Sequence, residues 1–449
     1  MSMRVLLYTY NYYPEPIGIA PLMTELAEGL VRKGHKVRVV TAMPNYPERK
    51  IYPDYKGQLY KREVRNGVEI DRCFVAIRPK PGLMGRAMLE GSFITLSFIK
   101  AISGWRPDVI LSTSPSLPAC LPVALAKKIF RCPVVLSLQD ILPEAAIQTG
   151  LISNALAIKV LKRLETFAYA SATKISVITP SFATNLRAKG VASQKISCIS
   201  NWVDVNFVSP QPKQNNAFRR KHELHDKFIV LYSGNIARTQ GVRTIVHAAQ
   251  QLQDNPNIQF VIVGEKRRLA DLEALTQKLE VSNVKLLPFV DRKELPEMLA
   301  AADVSLITQK KNVIGFNMPS KTQVIMASGR PIIASVPAEG TTASAIQKSD
   351  SGLVVEPESP VELARAIQKL YRNPKLAEKM GSNGRQFAIN HYSFERAIAA
   401  YENLLKAVST AERSPSQRPA QTIPTQSVIV LTPELQPTER QEVRERTLT

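Results

Sequence analysis

Short apolar runs along this chain repeatedly give way to a loop, and then to a stretch whose apolar positions recur at helical spacing. Residues 4–9 (R-V-L-L-Y-T) break into Pro14-Glu15-Pro16-Ile17-Gly18 and then a helical pattern to Lys33. Residues 228–233 (F-I-V-L-Y-S) break into Gly234-Asn235 and a second helical pattern from Gly241. Each pattern predicts a buried parallel strand, a loop and a helix. Their recurrence predicts an α/β protein of two doubly wound domains facing across a cleft.

In the first domain the predicted strands are Arg4–Thr9, Val37–Ala42, Cys73–Ile77, Val109–Thr113, Val134–Leu138, Lys174–Thr179 and Lys195–Ser200. Helical spacing covers Ala20–Lys33, Leu117–Phe130 and Ala155–Ala170, while residues 43–72 follow neither period and read as a long surface excursion. The second domain repeats the alternation with Phe228–Ser233, Phe260–Gly264, Val284–Val290, Val304–Thr308, Pro331–Ser335 and Gly352–Val355. Helices are predicted at about 241–253, 268–280, 293–301, 320–328, 360–372, 375–390 and 394–408. Asn201-Trp202-Val203-Asp204 closes the first domain, and the polar stretch Ser209–Asn216 links it to the second. The expected division is residues 1–205, residues 206–390, a helix over 391–408 crossing back to the first domain, and a tail over 409–449. That tail is rich in Ser, Pro and Gln, buries too little to offset its ordering entropy, and is expected to be disordered.

Charge sharpens the picture. The 449 residues carry 59 Lys+Arg against 38 Asp+Glu, a net +21. Residues 1–205 alone hold 27 basic and 14 acidic side chains. Such a surplus implies an anionic partner. Aromatics make up only 6% of the chain and do not interleave with basic runs, so nucleic acid is not expected. Leu83–Ile102 is apolar but broken by Arg86, Glu90 and Lys100. It suits a helix lying on a bilayer rather than one crossing it. None of Cys73, Cys120, Cys132 and Cys198 forms a C-x-x-C pair. With no leader ahead of the first strand, the expected location is cytoplasmic, at the inner face of the cytoplasmic membrane.

Candidate chemistry gathers where strands end. Gly18 and Gly234-Asn235 each sit between a strand and a helix, where free backbone N–H groups favour phosphate. Arg238 and Lys321 add positive charge there, and Ser320 can cap the helix that Lys321 begins. Gln139-Asp140 follows the Val134–Leu138 strand, placing a carboxylate at the cleft as a hydrogen-bond acceptor or base. Glu144 follows four residues later. Asn45 and Tyr46 end another strand. No D-x-D sequence is present, so no metal is expected.

Taken together these residues resemble the GT-B glycosyltransferases of family 4, over roughly residues 3–408. The resemblance rests on Asn201-Trp202-Val203-Asp204, Gly18, Ser233-Gly234-Asn235…Gln240-Gly241, Leu287–Val290 with Leu295…Ala302-Asp303-Val304, and Pro319-Ser320-Lys321…Met326-Ala327-Ser328-Gly329-Arg330-Pro331. Pro44-Asn45-Tyr46-Pro47 and Tyr232-Ser233-Gly234-Asn235-Ile236 resemble the colanic-acid type, associated with fucosyl transfer in exopolysaccharide assembly. The resemblance implies retention of anomeric configuration, no metal or other cofactor, and a nucleoside-diphosphate sugar held mainly by the second domain. It departs at three places. Asn235 and Gln240 stand where many members carry a basic pair, Phe316 and Val324 where many carry glutamates, and Gln139 where His is usual.

The expected activity is therefore sugar transfer from a nucleotide sugar to a lipid-linked or other saccharide acceptor, with peripheral membrane contact. Asp140 and Gln139 are the expected catalytic pair. Gly18, Gly234, Asn235, Arg238, Ser320, Lys321 and Phe289 are expected at the donor, and Asn45, Tyr46 and Glu144 at the acceptor. Two alternatives stand beside it: a nucleotide-sugar epimerase using Asp140 and Glu144 as its carboxylate pair, and a non-catalytic sugar-nucleotide-binding scaffold.

Overall fold

The computed structural model describes residues 2–16, 18–78, 82–114, 117–142, 144, 154–237, 239–313 and 321–411. Two sheets organise it. The first holds β1 (Arg4–Tyr8), β2 (Lys36–Ala42), β3 (Tyr60–Arg65), β4 (Val68–Cys73), β5 (Val109–Thr113), β6 (Val134–Leu138), β7 (Lys174–Val177) and β8 (Ile196–Cys198), in the order β3-β4-β2-β1-β5-β6-β7-β8. The second holds β9 (Phe228–Ser233), β10 (Ile258–Gly264), β11 (Val284–Pro288), β12 (Val304–Thr308), β13 (Ile332–Ser335) and β14 (Gly352–Val355), in the order β11-β10-β9-β12-β13-β14. All pairings are parallel except β3 with β4.

β1 lies between β2 and β5, with Leu6 opposite both Arg38 and Ile110. β9 lies between β10 and β12, with Leu231 opposite both Val261 and Ser305. Connections leave these two strands toward opposite sides of their sheets. The crevice so opened, beyond the strands' carboxyl ends, is where α/β sheets bind ligands.

The expected surface excursion at 43–72 is overturned in its second half. Tyr60–Arg65 and Val68–Cys73 form a hairpin turning through Asn66-Gly67, both at positive φ (47° and 79°), the geometry of a two-residue primed turn. The strand expected at Cys73–Ile77 lies earlier, at Val68–Cys73. Hydrophobic periodicity missed it because two charged side chains, Asp71 and Arg72, are buried beside Val68, Ile70 and Cys73 and break the apolar pattern. Arg72 is fully buried, bonding Glu63 at 2.5 Å and the Tyr13 carbonyl at 2.6 Å. Asp71 lies 3.6 Å from the buried Arg38.

Leu6, Tyr8, Val40 and Val134 face one side of the first sheet, packing on Phe93 and Ala101 of helix Leu83–Ile102 and Val123 of helix Cys120–Phe130. Val5, Leu7, Val39 and Val135 face the other, against helix Ala20–Arg32 and the last helix, Phe394–Ala411. That last helix follows helix Pro374–Tyr392, which packs on the second lobe through Lys321–Ala327, and returns to the first. Gly29 permits the return: a Cβ there would stand 2.6 Å from Phe394 Cζ. Tyr401 is fully buried, its hydroxyl 2.9 Å from Ser137 Oγ and 3.2 Å from Ser176 Oγ. No helix among the described residues is long and apolar enough to cross a membrane.

Removing only the Tyr401 hydroxyl (Tyr401→Phe) takes the hydroxyl partner from buried Ser176 and leaves Ser137 with Gln139 Nε2, and is expected to cost about 1 kcal/mol in denaturant unfolding. Tyr401→Ala adds a cavity and is expected to cost about 3–5 kcal/mol.

Candidate active site

In the first lobe, the segments after β1 and β2 meet. Glu15, buried between them, accepts hydrogen bonds from the Asn45 amide at 2.8 Å, the Tyr46 amide at 2.9 Å and Asn11 Nδ2 at 2.6 Å. This carboxylate was not singled out from sequence, where it reads as one charge in a proline loop. Gly18 (φ 74°) is exposed, and a Cβ there would lie 3.9 Å from Tyr46 Cε1. Donor and acceptor candidates are thus neighbours at this corner. Asn45 departs from expectation: it is buried and donates through Nδ2 to the Met43 carbonyl at 2.8 Å, so it braces the loop. Tyr46 remains exposed.

Past β6, Gln139 is committed internally. Its amide N–H donates to Ser114 Oγ at 2.9 Å, its Nε2 donates to Ser137 Oγ at 3.0 Å, and its Oε1 accepts from Asn201 Nδ2 at 2.8 Å. Ser137 is the serine that meets Tyr401. The chain entering Asp140 is therefore tied to both the interlobe segment and the returning helix, and Gln139 positions rather than reaches out. Burial pushes the Asp140 carboxyl up to about 6. Glu144, expected at the acceptor, is held in an ion pair. It pairs with Lys189 at 2.6 Å, and the same ammonium contacts Glu165, so its charge is spent within the first lobe. Burial is the only cause of the Asp140 shift, with no contribution from the Glu144 charge.

In the second lobe, β9 delivers Tyr232, Ser233, Gly234 and Asn235 to the crevice. Gly234 adopts φ 145°, and a Cβ there would stand 3.1 Å from Lys321 Nζ, at the start of helix Lys321–Ala327. That ammonium lies 3.9 Å from the Tyr232 ring centroid, a cation–π contact. The Tyr232 hydroxyl turns away to donate to the Asn235 carbonyl at 2.9 Å. Although the stem of Lys321 is partly exposed, Nζ is buried with no hydrogen-bond partner among the described residues. Burial lowers its pKa to about 7. The ammonium, without a hydrogen-bond partner among the described residues, thus faces the glycine corner. Phe289 stands exposed just beyond β11, two strands from this corner. Arg238 and Ser320 lie outside the described residues. Among the described residues no three His, Cys, Asp or Glu side chains gather to hold a metal.

Residues 18–202 match the model of the glycosyl transferase 4-like domain, and residues 214–387 that of glycosyl transferases group 1. WcaI of Escherichia coli K12, named for colanic acid biosynthesis glycosyl transfer, is 31% identical over 382 residues, covering 83% of this chain and 93% of WcaI. This chain belongs to the group 1 glycosyltransferases. Its fold is GT-B. Sucrose-phosphate synthase from Thermosynechococcus elongatus superimposes with a TM-score of 0.71 at 18% identity, covering 91% of this chain and all of that one. HepE from Anabaena, solved in complex with UDP, gives 0.68 at 17% identity with the same coverage.

In this glycosyltransferase the burial of Lys321, which has no hydrogen-bond partner among the described residues, opposes stability. Its folded pKa, about 7, lies below the unfolded value of about 10.4. The unfolded chain then binds more protons between these values, so the penalty is complete below pH 7 and fades as pH rises toward 10. Lys321→Met is expected to raise Tm at pH 7, by an amount that shrinks at pH 10. A Tm unchanged or lowered at pH 7 would show that the ammonium is already compensated.

Proposed function

We propose that this glycosyltransferase transfers a sugar, with retention, from a nucleoside-diphosphate sugar to a lipid-linked saccharide in exopolysaccharide or cell-surface polysaccharide assembly. The observation carrying this reading is the Lys321 ammonium, buried against Gly234 with no hydrogen-bond partner among the described residues, at the strand-order reversal of the second sheet. A diphosphate would supply the missing counter-charge, and Lys321, Gly234, Asn235, Arg238, Ser320 and Gly18 would stabilise it as leaving group. Charge neutralisation then falls to protein groups, with no metal. The nucleoside would rest against Phe289. The name of WcaI supports the polysaccharide assignment and the UDP complex of HepE supports the donor class. Fucose as the transferred sugar rests on the sequence resemblance alone.

In the transfer step, the anomeric carbon's bond to the diphosphate oxygen breaks and its bond to the acceptor hydroxyl oxygen forms on the same face. The hydroxyl proton passes to Asp140, whose raised pKa suits a base near neutrality. Gln139 holds Asp140 in place, and Tyr46, beside Gly18, contacts the acceptor. The pairing of Glu144 with Lys189 tells against the epimerase alternative, which needs two free carboxylates. The scaffold alternative differs by binding donor without turnover.

The test is transfer from radiolabelled UDP- and GDP-sugars to lipid extract. Asp140→Asn is expected to lower kcat at least about 100-fold, and Lys321→Ala to lower kcat/KM about 100-fold or more. Full transfer by both variants would reject the assignment. In the wild type, kcat/KM is expected to fall as pH drops through about 6, as Asp140 takes up its proton, and a flat profile there would remove Asp140 as the base.

A further inference from the structure

Sixteen large apolar side chains stand exposed among the described residues, and nine of these lie on three helices of the first lobe. Helix Cys120–Phe130 presents Leu121, Leu125 and Ile129, spaced by fours and therefore on one face. Helix Ala155–Ser171 presents Leu156, Val160 and Phe167, spaced by four and then seven and so also on one face. Helix Leu83–Ile102 adds Met84, Met88 and Ile99. All nine are between 40 and 71% exposed.

The three helices pack side by side. Cys120 Sγ lies 4.0 Å from the Leu164 carbonyl, and Lys127 Nζ donates to the Ser171 carbonyl at 2.8 Å. They cover the sheet face opposite the returning helix. Their exposed charges share one sign: Arg86, Lys128, Lys159, Lys162 and Arg163. By helical angle, Lys128 and Arg163 fall within the apolar stripes of their own helices. Of the acids on these helices, Glu165 is buried against Lys189 and Glu90 is half-buried. An apolar face of this breadth marks an interaction surface. Its cations decide the occupant. A second copy docked about a two-fold axis would set like charges against each other, whereas an anionic lipid surface complements them.

We propose that this three-helix face seats the protein on an anionic bilayer. The Leu, Ile, Val, Met and Phe side chains enter the boundary between headgroups and acyl chains, and the Lys and Arg heads remain at the phosphates. The docking rests on the lipid-linked acceptor reading for its purpose and extends it. Contact runs through three helices rather than through Leu83–Ile102 alone.

The test is co-sedimentation of the full chain with phosphatidylcholine vesicles, with and without phosphatidylglycerol, beside a thermal shift with UDP. Wild type is expected to bind the phosphatidylglycerol vesicles, and to release as salt rises. Leu125→Glu with Phe167→Glu, and separately Lys128→Glu with Arg163→Glu, are each expected to weaken binding at least about tenfold, with the UDP shift retained. Met84→Glu with Ile99→Glu is expected to do the same from the neighbouring helix. Undiminished binding by all three variants would overturn the proposal. So would a wild-type dimer that ignores vesicles and is split by the Leu125 and Phe167 changes. Vesicle binding without any UDP shift would uphold the docking and strike the donor assignment instead.

Discussion

Adjacent parallel strands cannot be joined by a tight turn, and that constraint decides where everything else in this molecule stands. Each connection must climb over the sheet through a helix or a long segment. At β1 and at β9 the climbs go opposite ways, and two crevices open at the carboxyl ends of those strands. The Gly18 loop emerges at one and the Gly234 corner at the other. The returning helix and the Gln139–Asn201 hydrogen bond then hold the interlobe segment to the first lobe's end of the cleft.

Within that frame, charge is treated in two ways. Most buried ions are answered. Arg219 donates to the Ala301 carbonyl at 2.7 Å and to Asp303 at 2.7 Å, and Asp303 also takes the Ile229 amide at 2.8 Å. Arg72 and Glu63 answer each other likewise. Lys321 has no such answer among the described residues, and Asp140 is displaced toward neutrality by burial alone. Unanswered charge costs stability, and proteins keep it where a ligand supplies the remainder.

Sequence reading succeeded where burial and apolar character coincide. β9, β12 and β14 stand as their hydrophobic runs predicted, and both glycine corners were visible as breaks after such runs. It failed where burial is paid in ion pairs. β4 buries Asp71 and Arg72 among Val68, Ile70 and Cys73, so charge interrupts its apolar run and it reads as surface until the Asn66-Gly67 turn is recognised. Site residues follow the same rule. Gly234 and Lys321 were legible as a corner and a helix start, but Tyr232, beneath the ammonium, looked like strand core. Glu144 looked free because its partner, Lys189, lies 45 positions on. Asp303, part of a family-like motif, serves the frame by fixing Arg219 and Lys213 rather than the cleft.

The Phe394–Ala411 helix completes a core begun by residues 3–8, with Ser409 Oγ reaching Met3. Synthesis runs from the amino end, and domains tend to fold as they emerge. The second lobe has its own core and can close while the last helix is still within the ribosome. The first lobe, though translated earlier, must keep a strip of its apolar surface open until nearly the whole chain has appeared. The part made first is finished last, and the nascent protein carries that exposed strip for most of its synthesis.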